Sequence, residues 1–211
     1  MEFLKTVINL LFGPDPELRG IIWVTLRMSV TSTFISSLIG IPIGTLLGLR
    51  EFRGKAFFNR LNSTLMGVPP VVGGLVVFLL LSRSGPLGQL KLLYSVTAMV
   101  IAQVILITPI IIGLTYNLVA LRANAIRETC AGIGLSAREQ LWITLKEFRI
   151  PFISIILTGF GRSIAEVGAI QMVGGNIQFK TRVMTTAIMM QSNMGRFELG
   201  IALGVVLLLL S

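Results

Sequence analysis

Side chains able to do covalent or metal chemistry are scarce in this chain. Among 211 residues there is no histidine and one cysteine, Cys130. That leaves no His/Cys metal cluster, no histidine general base and no disulfide within one chain. Cys130 reads as a small, semi-buried residue rather than a nucleophile. No clustered carboxylate pair is evident, which argues against a membrane-embedded enzyme. Gly48 to Lys55, GLREFRGK, has one residue too many before its GK and no Ser or Thr after it, so it is not a phosphate loop.

Two constellations remain. Arg162 and Glu166 stand four apart, on one face of an apolar helix, where they can pair. Ionisable groups at membrane depth commonly face an interior path. A structural pair is the first reading, and an Arg162 that attracts an oxyanion is the alternative. The second constellation lies in RETCAGIGLSAREQLWITLKEFRIP, from Arg127 to Pro151, a charged, helix-patterned stretch between apolar runs. Ile126, Cys130, Ile133, Ala137, Leu141, Leu145 and Phe148 recur at intervals of three or four. Gly132 and Gly134 interrupt that stripe. Ser136 and Glu139 have the spacing of a capping box, so a second helix is expected from Ser136 to about Arg149. Two helices joined by a glycine turn form a rigid knob over residues 121–150, a structure suited to a partner in the aqueous phase.

The elements that position these groups are apolar. The chain is 54% hydrophobic and 13% charged, with mean hydropathy +0.86, whereas soluble domains carry roughly 25% charged residues. An all-α, polytopic membrane bundle of about five spans is expected, as a single domain over residues 1–211. Residues 1–18 read as an interfacial helix followed by the GPDP turn. The first span runs from about Ile21 to Leu49 and carries Gly40, Gly44 and Gly48, a ridge of small residues for close packing. The second, about Leu61 to Ser82, is loosened near its middle by Pro69 and Pro70, which either line a path or only pack. The third is about Leu93 to Leu118, and the fourth Pro151 to Val173. Residues 174–198 read as an outer or re-entrant loop, in which Gly174, Gly175 and Asn176 form either an outer gate or an ordinary exposed turn. The last apolar run, Leu199 to Leu210, would rise only about 18 Å against a core of about 30 Å. Its helix therefore starts earlier, near Arg196, or the chain continues past Ser211.

The net charge of +9 does not form one basic face, which excludes nucleic acid as the partner. Lys and Arg gather instead at the ends of apolar runs. The connection at Arg50–Arg60 and the 121–150 insert are the most basic, and both are expected on the cytoplasmic side. The amino terminus is then outside and the carboxyl terminus inside.

The insert is similar to the cytoplasmic loop of ATP-binding-cassette importer permeases, in which a Glu precedes a Gly by six residues. Glu128 and Gly134 keep that spacing, Thr129 and Cys130 replace the family's alanines, Ala131 follows, and the closing proline appears only at Pro151. The later stretch from Gly161 to Ile188, with its EVGA…VGGN…TRVMTTAI succession, resembles permeases of tungstate and molybdate importers, the tungstate branch above all.

The resemblance implies a type I ABC importer permease in a prokaryotic inner membrane that pairs with a second copy of itself. It further implies two ATP-binding-cassette ATPase subunits, which carry ATP and Mg, and an extracytoplasmic oxyanion-binding protein, with membrane lipid around the bundle and no cofactor on this chain. Arg127, Glu128, Ala131, Gly134, Ser136 and Arg138 would form the docking turn and its rim. Pro69, Pro70, Arg162, Glu166, Gly174, Gly175 and Asn176 are the candidates for pathway or gate. Molybdate or another oxyanion remains an alternative substrate, since tungstate and molybdate are tetrahedral dianions of nearly equal size. A stand-alone channel or secondary transporter is the alternative class. It would need a coupling-ion site, and Glu166 is the one evident intramembrane acid.

Overall fold

In lipid a backbone must satisfy its own hydrogen bonds, so apolar runs with few breaks fold as helices. The computed structural model describes residues 16–211, except for the side chain of Ala131. The described residues hold ten α-helices, one short 3-10 helix (Gly88–Leu90) and no strand: α1 (Pro16–Leu49), α2 (Lys55–Met66), α3 (Pro70–Leu81), α4 (Val96–Ala120), α5 (Ala123–Gly132), α6 (Ala137–Glu147), α7 (Arg149–Ile164), α8 (Gly168–Gly174), α9 (Met184–Asn193) and α10 (Phe197–Leu210). The interfacial helix expected within 1–18 falls mostly on residues 1–15, outside the described residues, while residues 16–18 open α1.

Two helices are long enough to cross a bilayer unaided. The 34 residues of α1 span about 51 Å and the 25 of α4 about 38 Å, at 1.5 Å per residue. The expected second and fourth spans are not straight. Residues 67–69 break the helix between α2 and α3, and residues 165–167 break it between α7 and α8. The first break follows from Pro69 and Pro70, since Pro70 opens α3 at a position needing no N–H donor. α10 starts at Phe197 with Arg196 as its cap, in line with the earlier start expected for the last apolar run.

The described chain divides into two units. One comprises Thr33–Val68 and Val104–Phe160. Its core joins Leu49, Ile107, Ile111, Val119, Phe148, Phe152 and Ile155. Between helices in lipid there is little hydrophobic driving force, so close backbone approach takes its place. The glycine ridge of α1 provides this: a Cβ at Gly44 would lie 2.7 Å from the Ile112 carbonyl oxygen, and one at Gly40 2.8 Å from Ile111 Cγ2. The Asn62 amide donates to the Pro109 carbonyl at 3.0 Å, tying α2 to α4.

The other unit comprises the chain up to Ser32, Pro69–Gln103 and Gly161–Ser211. Here α3 lies on α8, with Gly74 so close to Ala169 that a Cβ would stand 2.5 Å from its Cα. A second cluster joins Leu18 and Ile21 of α1 to Met184 and Ala187 of α9 and Leu203 of α10. Hydroxyls stitch the helices: Thr25 accepts the Met184 N–H at 3.0 Å while donating to the Ile21 carbonyl at 2.7 Å.

Candidate functional site

The docking candidates all fall in the first unit described, on α5, α6 and the turn between them. α5 ends in a left-handed turn. Gly134 has φ +71°, and the Leu135 N–H returns to the Cys130 carbonyl at 2.9 Å, the long bond of a Schellman motif. A Cβ at Gly134 would meet nothing within 4 Å, so the glycine serves the backbone conformation and not close packing. The sharp reversal brings Ser136 into place as N-cap of α6. The Ser136 N–H donates to Glu139 Oε2 at 2.8 Å and its hydroxyl donates to the same oxygen at 2.6 Å, while the Glu139 N–H reaches Ser136 Oγ at 3.4 Å. The hydroxyl and backbone donors of Ser136 hold the Glu139 carboxyl below the usual range. The expected capping box is present.

The apolar stripe is only partly continuous. Ile126, Leu141 and Leu145 pack on the unit's core and Cys130 is buried, but Ile133 is 68% exposed because it belongs to the turn and not to either helix. Trp142, which the stripe did not include, is 67% exposed on α6. Glu128, Gly134 and Arg138 are likewise exposed, and Ala131 lies in the last turn of α5. Arg127 is engaged within the chain: Nη2 donates to Asn124 Oδ1 at 2.6 Å, and Nη1 stands 3.8 Å from Glu51. The Lys55 ammonium, bonded to Glu51 at 2.8 Å, is the main cause that lowers the Glu51 pKa, with Arg127 adding to it. The free rim of the knob is therefore Glu128, Ile133, Arg138 and Trp142, a mixture of charge and apolar surface suited to an aqueous groove.

The pathway and gate candidates all fall in the second unit. Glu166 sits at the break between α7 and α8, its side chain 6% exposed, whereas the Arg162 side chain is 43% exposed. Arg162 Nη2 stands 3.5 Å from Glu166 Oε2. Glu166 Oε1 accepts the Ala169 N–H at 3.3 Å, and its backbone carbonyl accepts the Thr185 hydroxyl at 2.8 Å. Burial of a carboxylate is tolerable only with such partners. Pro69 and Pro70 open α3, which packs on the same α8.

Gly174 and Gly175 close α8. Gly175, at φ +69°, sends its N–H to the Gln171 carbonyl at 3.1 Å, and the Gly174 carbonyl accepts the Thr181 hydroxyl at 2.6 Å. Asn176 Oδ1 accepts the Thr186 hydroxyl at 3.0 Å. These residues form a turn fixed at several points, and Thr181, Thr185 and Thr186 behind it are buried. The run TRVMTT, noted only as a family pattern, supplies those hydroxyls. Equally unforeseen is the ion pair of Arg182 with Glu17 at 2.7 Å, joining positions 165 residues apart.

Comparison with known proteins decides the family. Residues 40–211 match the family described as "Binding-protein-dependent transport system inner membrane component". The chain belongs to this family. It is therefore a multi-pass inner-membrane transport subunit and not itself an enzyme. Its whole length is 40% identical to 92% of the tungstate uptake system permease protein of Peptoclostridium acidaminophilum. Over 98% of the chain it is 37% identical to 87% of the tungstate uptake system permease protein of Campylobacter jejuni. A probable anion ABC transporter permease protein of Haloferax volcanii is 38% identical over 89% of the chain and 83% of its own length. More distant is a molybdenum transport system permease protein of Azotobacter vinelandii, at 26% over 78% of the chain and 76% of that protein.

Proposed function

We propose that this permease carries tungstate inward as the membrane subunit of an ATP-driven importer. The observation that carries this reading is the end-to-end similarity to proteins named for tungstate uptake, against the weaker match to a molybdenum permease. Two copies form the path, an external binding protein delivers the anion, and two ATPase subunits hold ATP and Mg. The basic Arg50–Arg60 connection and the α5–α6 knob face the cytoplasm, with the amino terminus outside.

Docking uses the exposed rim of the knob. Glu128 and Arg138 offer charges, Ile133 and Trp142 offer apolar anchors, and the Gly134 turn fixes their relative direction. A partner that closes on ATP moves two such rigid knobs together, and the helices that follow them switch the path between its faces. Glu166 neutralises Arg162 and ties α7 to α8 and α9, so this pair holds the broken span together and a tungstate ligand must be sought elsewhere along the path.

The reading is tested by uptake into proteoliposomes that contain the complete complex and its binding protein. Tungstate should accumulate when ATP is supplied to the ATPase side, and molybdate should accumulate more slowly at equal concentration. Equal rates for the two anions would refute the assignment of tungstate.

A further inference from the structure

The connection between α3 and α4 lines an open cavity of about 860 Å³, none of whose lining residues is among the docking, pathway or gate candidates above. Its wall is apolar, from Phe78, Leu81 and Leu93, and its rim is polar, from Arg83, Gln89 and Lys91. All three rim residues are exposed. No acidic residue occurs in the sequence between Glu51 and Glu128, and neither Arg83 nor Lys91 makes an ion pair among the described residues. Two uncompensated cations thus stand at the mouth of an apolar cavity, directly after the apolar α3.

The rim is built, not slack. The Leu87 N–H returns to the Leu80 carbonyl at 3.0 Å, and the Lys91 N–H to the Gly88 carbonyl at 3.1 Å. Lys91 and Tyr94 hold left-handed backbone conformations, φ 49° and 60°, which side-chain-bearing residues seldom adopt. The Tyr94 N–H is bound to the Val173 carbonyl at 2.9 Å, so the strained segment is anchored on α8. Strain of this kind persists only where surrounding structure enforces it, and it gathers at ligand sites.

Size and chemistry select the ligand. A volume near 860 Å³ suits a drug-sized or lipid-sized molecule in the range of about 300–1,000 Å³, and it far exceeds one tetrahedral oxyanion. An apolar wall beneath a cationic rim, at the end of an apolar helix, offers an acyl chain and a phosphate each a fitting surface, and the topology proposed above puts it on the outer side. We propose that this cavity binds an anionic phospholipid, with the phosphate between Arg83 and Lys91 and the upper acyl chain on Phe78, Leu81 and Leu93. The site steadies the α3–α4 connection against the bilayer and does not depend on which anion is transported.

The test uses the assembled transporter in nanodiscs of phosphatidylcholine with a minor fraction of phosphatidylglycerol, released into native mass spectrometry. The wild type should retain phosphatidylglycerol in preference to phosphatidylcholine. Charge removal in R83Q/K91Q should lower its affinity by roughly tenfold or more, through the loss of two charge-assisted contacts to the phosphate. The charge-matched R53Q/R60Q variant should retain it through this site. Equal retention by R83Q/K91Q and wild type would overturn the proposal. So would displacement of the bound lipid by inorganic tungstate or phosphate, which would mark a free-oxyanion site, or a cavity closed to lipid by a second copy of the chain.

Discussion

Arg162 Nη2 lies 3.5 Å from Glu166 Oε2, yet the two partners stand in different surroundings, the arginine side chain 43% exposed and the glutamate 6%. The buried end depends most on its partner. Replacing Arg162 leaves a buried carboxyl with the 3.3 Å contact to the Ala169 N–H, whereas removing the Glu166 charge leaves an arginine that water can reach. R162A should therefore destabilise the transporter by about 1–3 kcal/mol, and E166Q, which keeps an acceptor for the Ala169 N–H, by less. Thermal unfolding of the purified complex ranks the two, and a larger loss for E166Q would contradict the assignment.

Thr185 donates to the Glu166 carbonyl at 2.8 Å from a buried position. T185V keeps the shape and removes the donor, and it should cost about 1 kcal/mol. T185S should restore most of it. If valine and serine variants melt together, the hydroxyl is not what joins α9 to the break.

Gly134 holds φ +71° with open space where a Cβ would project. G134A should thus add about 1–2 kcal/mol of backbone strain without a clash, and G134N somewhat less. Both should reach the membrane, with co-purification of the ATPase weakened more by alanine than by asparagine. An alanine variant that binds the ATPase as well as the wild type would show that the turn is not part of the contact.

Ser136 holds the Glu139 carboxyl below its usual range through the hydroxyl and then the backbone hydrogen bond. A group with a depressed folded pKa contributes stability above its unfolded pKa, and that contribution disappears as pH falls through the folded value. The first turn of α6 should exchange its amide hydrogens faster, after correction for intrinsic rates, as pH drops below the carboxylate range. E139Q can still cap and should have a flat profile. A wild-type profile as flat as that of E139Q would rule out the carboxylate as the source.

Local chemistry was legible in the sequence where it repeats at short range. The Ser136–Glu139 spacing announces a cap, the Gly40–Gly48 ridge a close helix crossing, and the glycines that interrupt the apolar stripe a turn between two helices. Long-range relationships were not. Nothing in the spacing of Glu17 and Arg182, or of Thr25 and Met184, says that they meet, because pairing across a bundle depends on helix rotation and crossing and not on sequence period. The prolines mark the break at residues 69–70, but nothing in their spacing says that α3 beyond it meets α8 through Gly74 and Ala169. Ile133 shares the spacing of the apolar stripe but lies in the turn that ends α5, where sequence period no longer fixes which way a side chain faces.

Coupling of the knob to ATP-driven tungstate uptake is tested most directly with G134L in the complete reconstituted system. The account predicts that wild-type vesicles accumulate tungstate only with ATP, and that G134L vesicles, with permease inserted in equal amount, lose both uptake and bound ATPase. Undiminished ATP-dependent uptake by G134L, or tungstate uptake by the permease without any ATPase subunit, would contradict it.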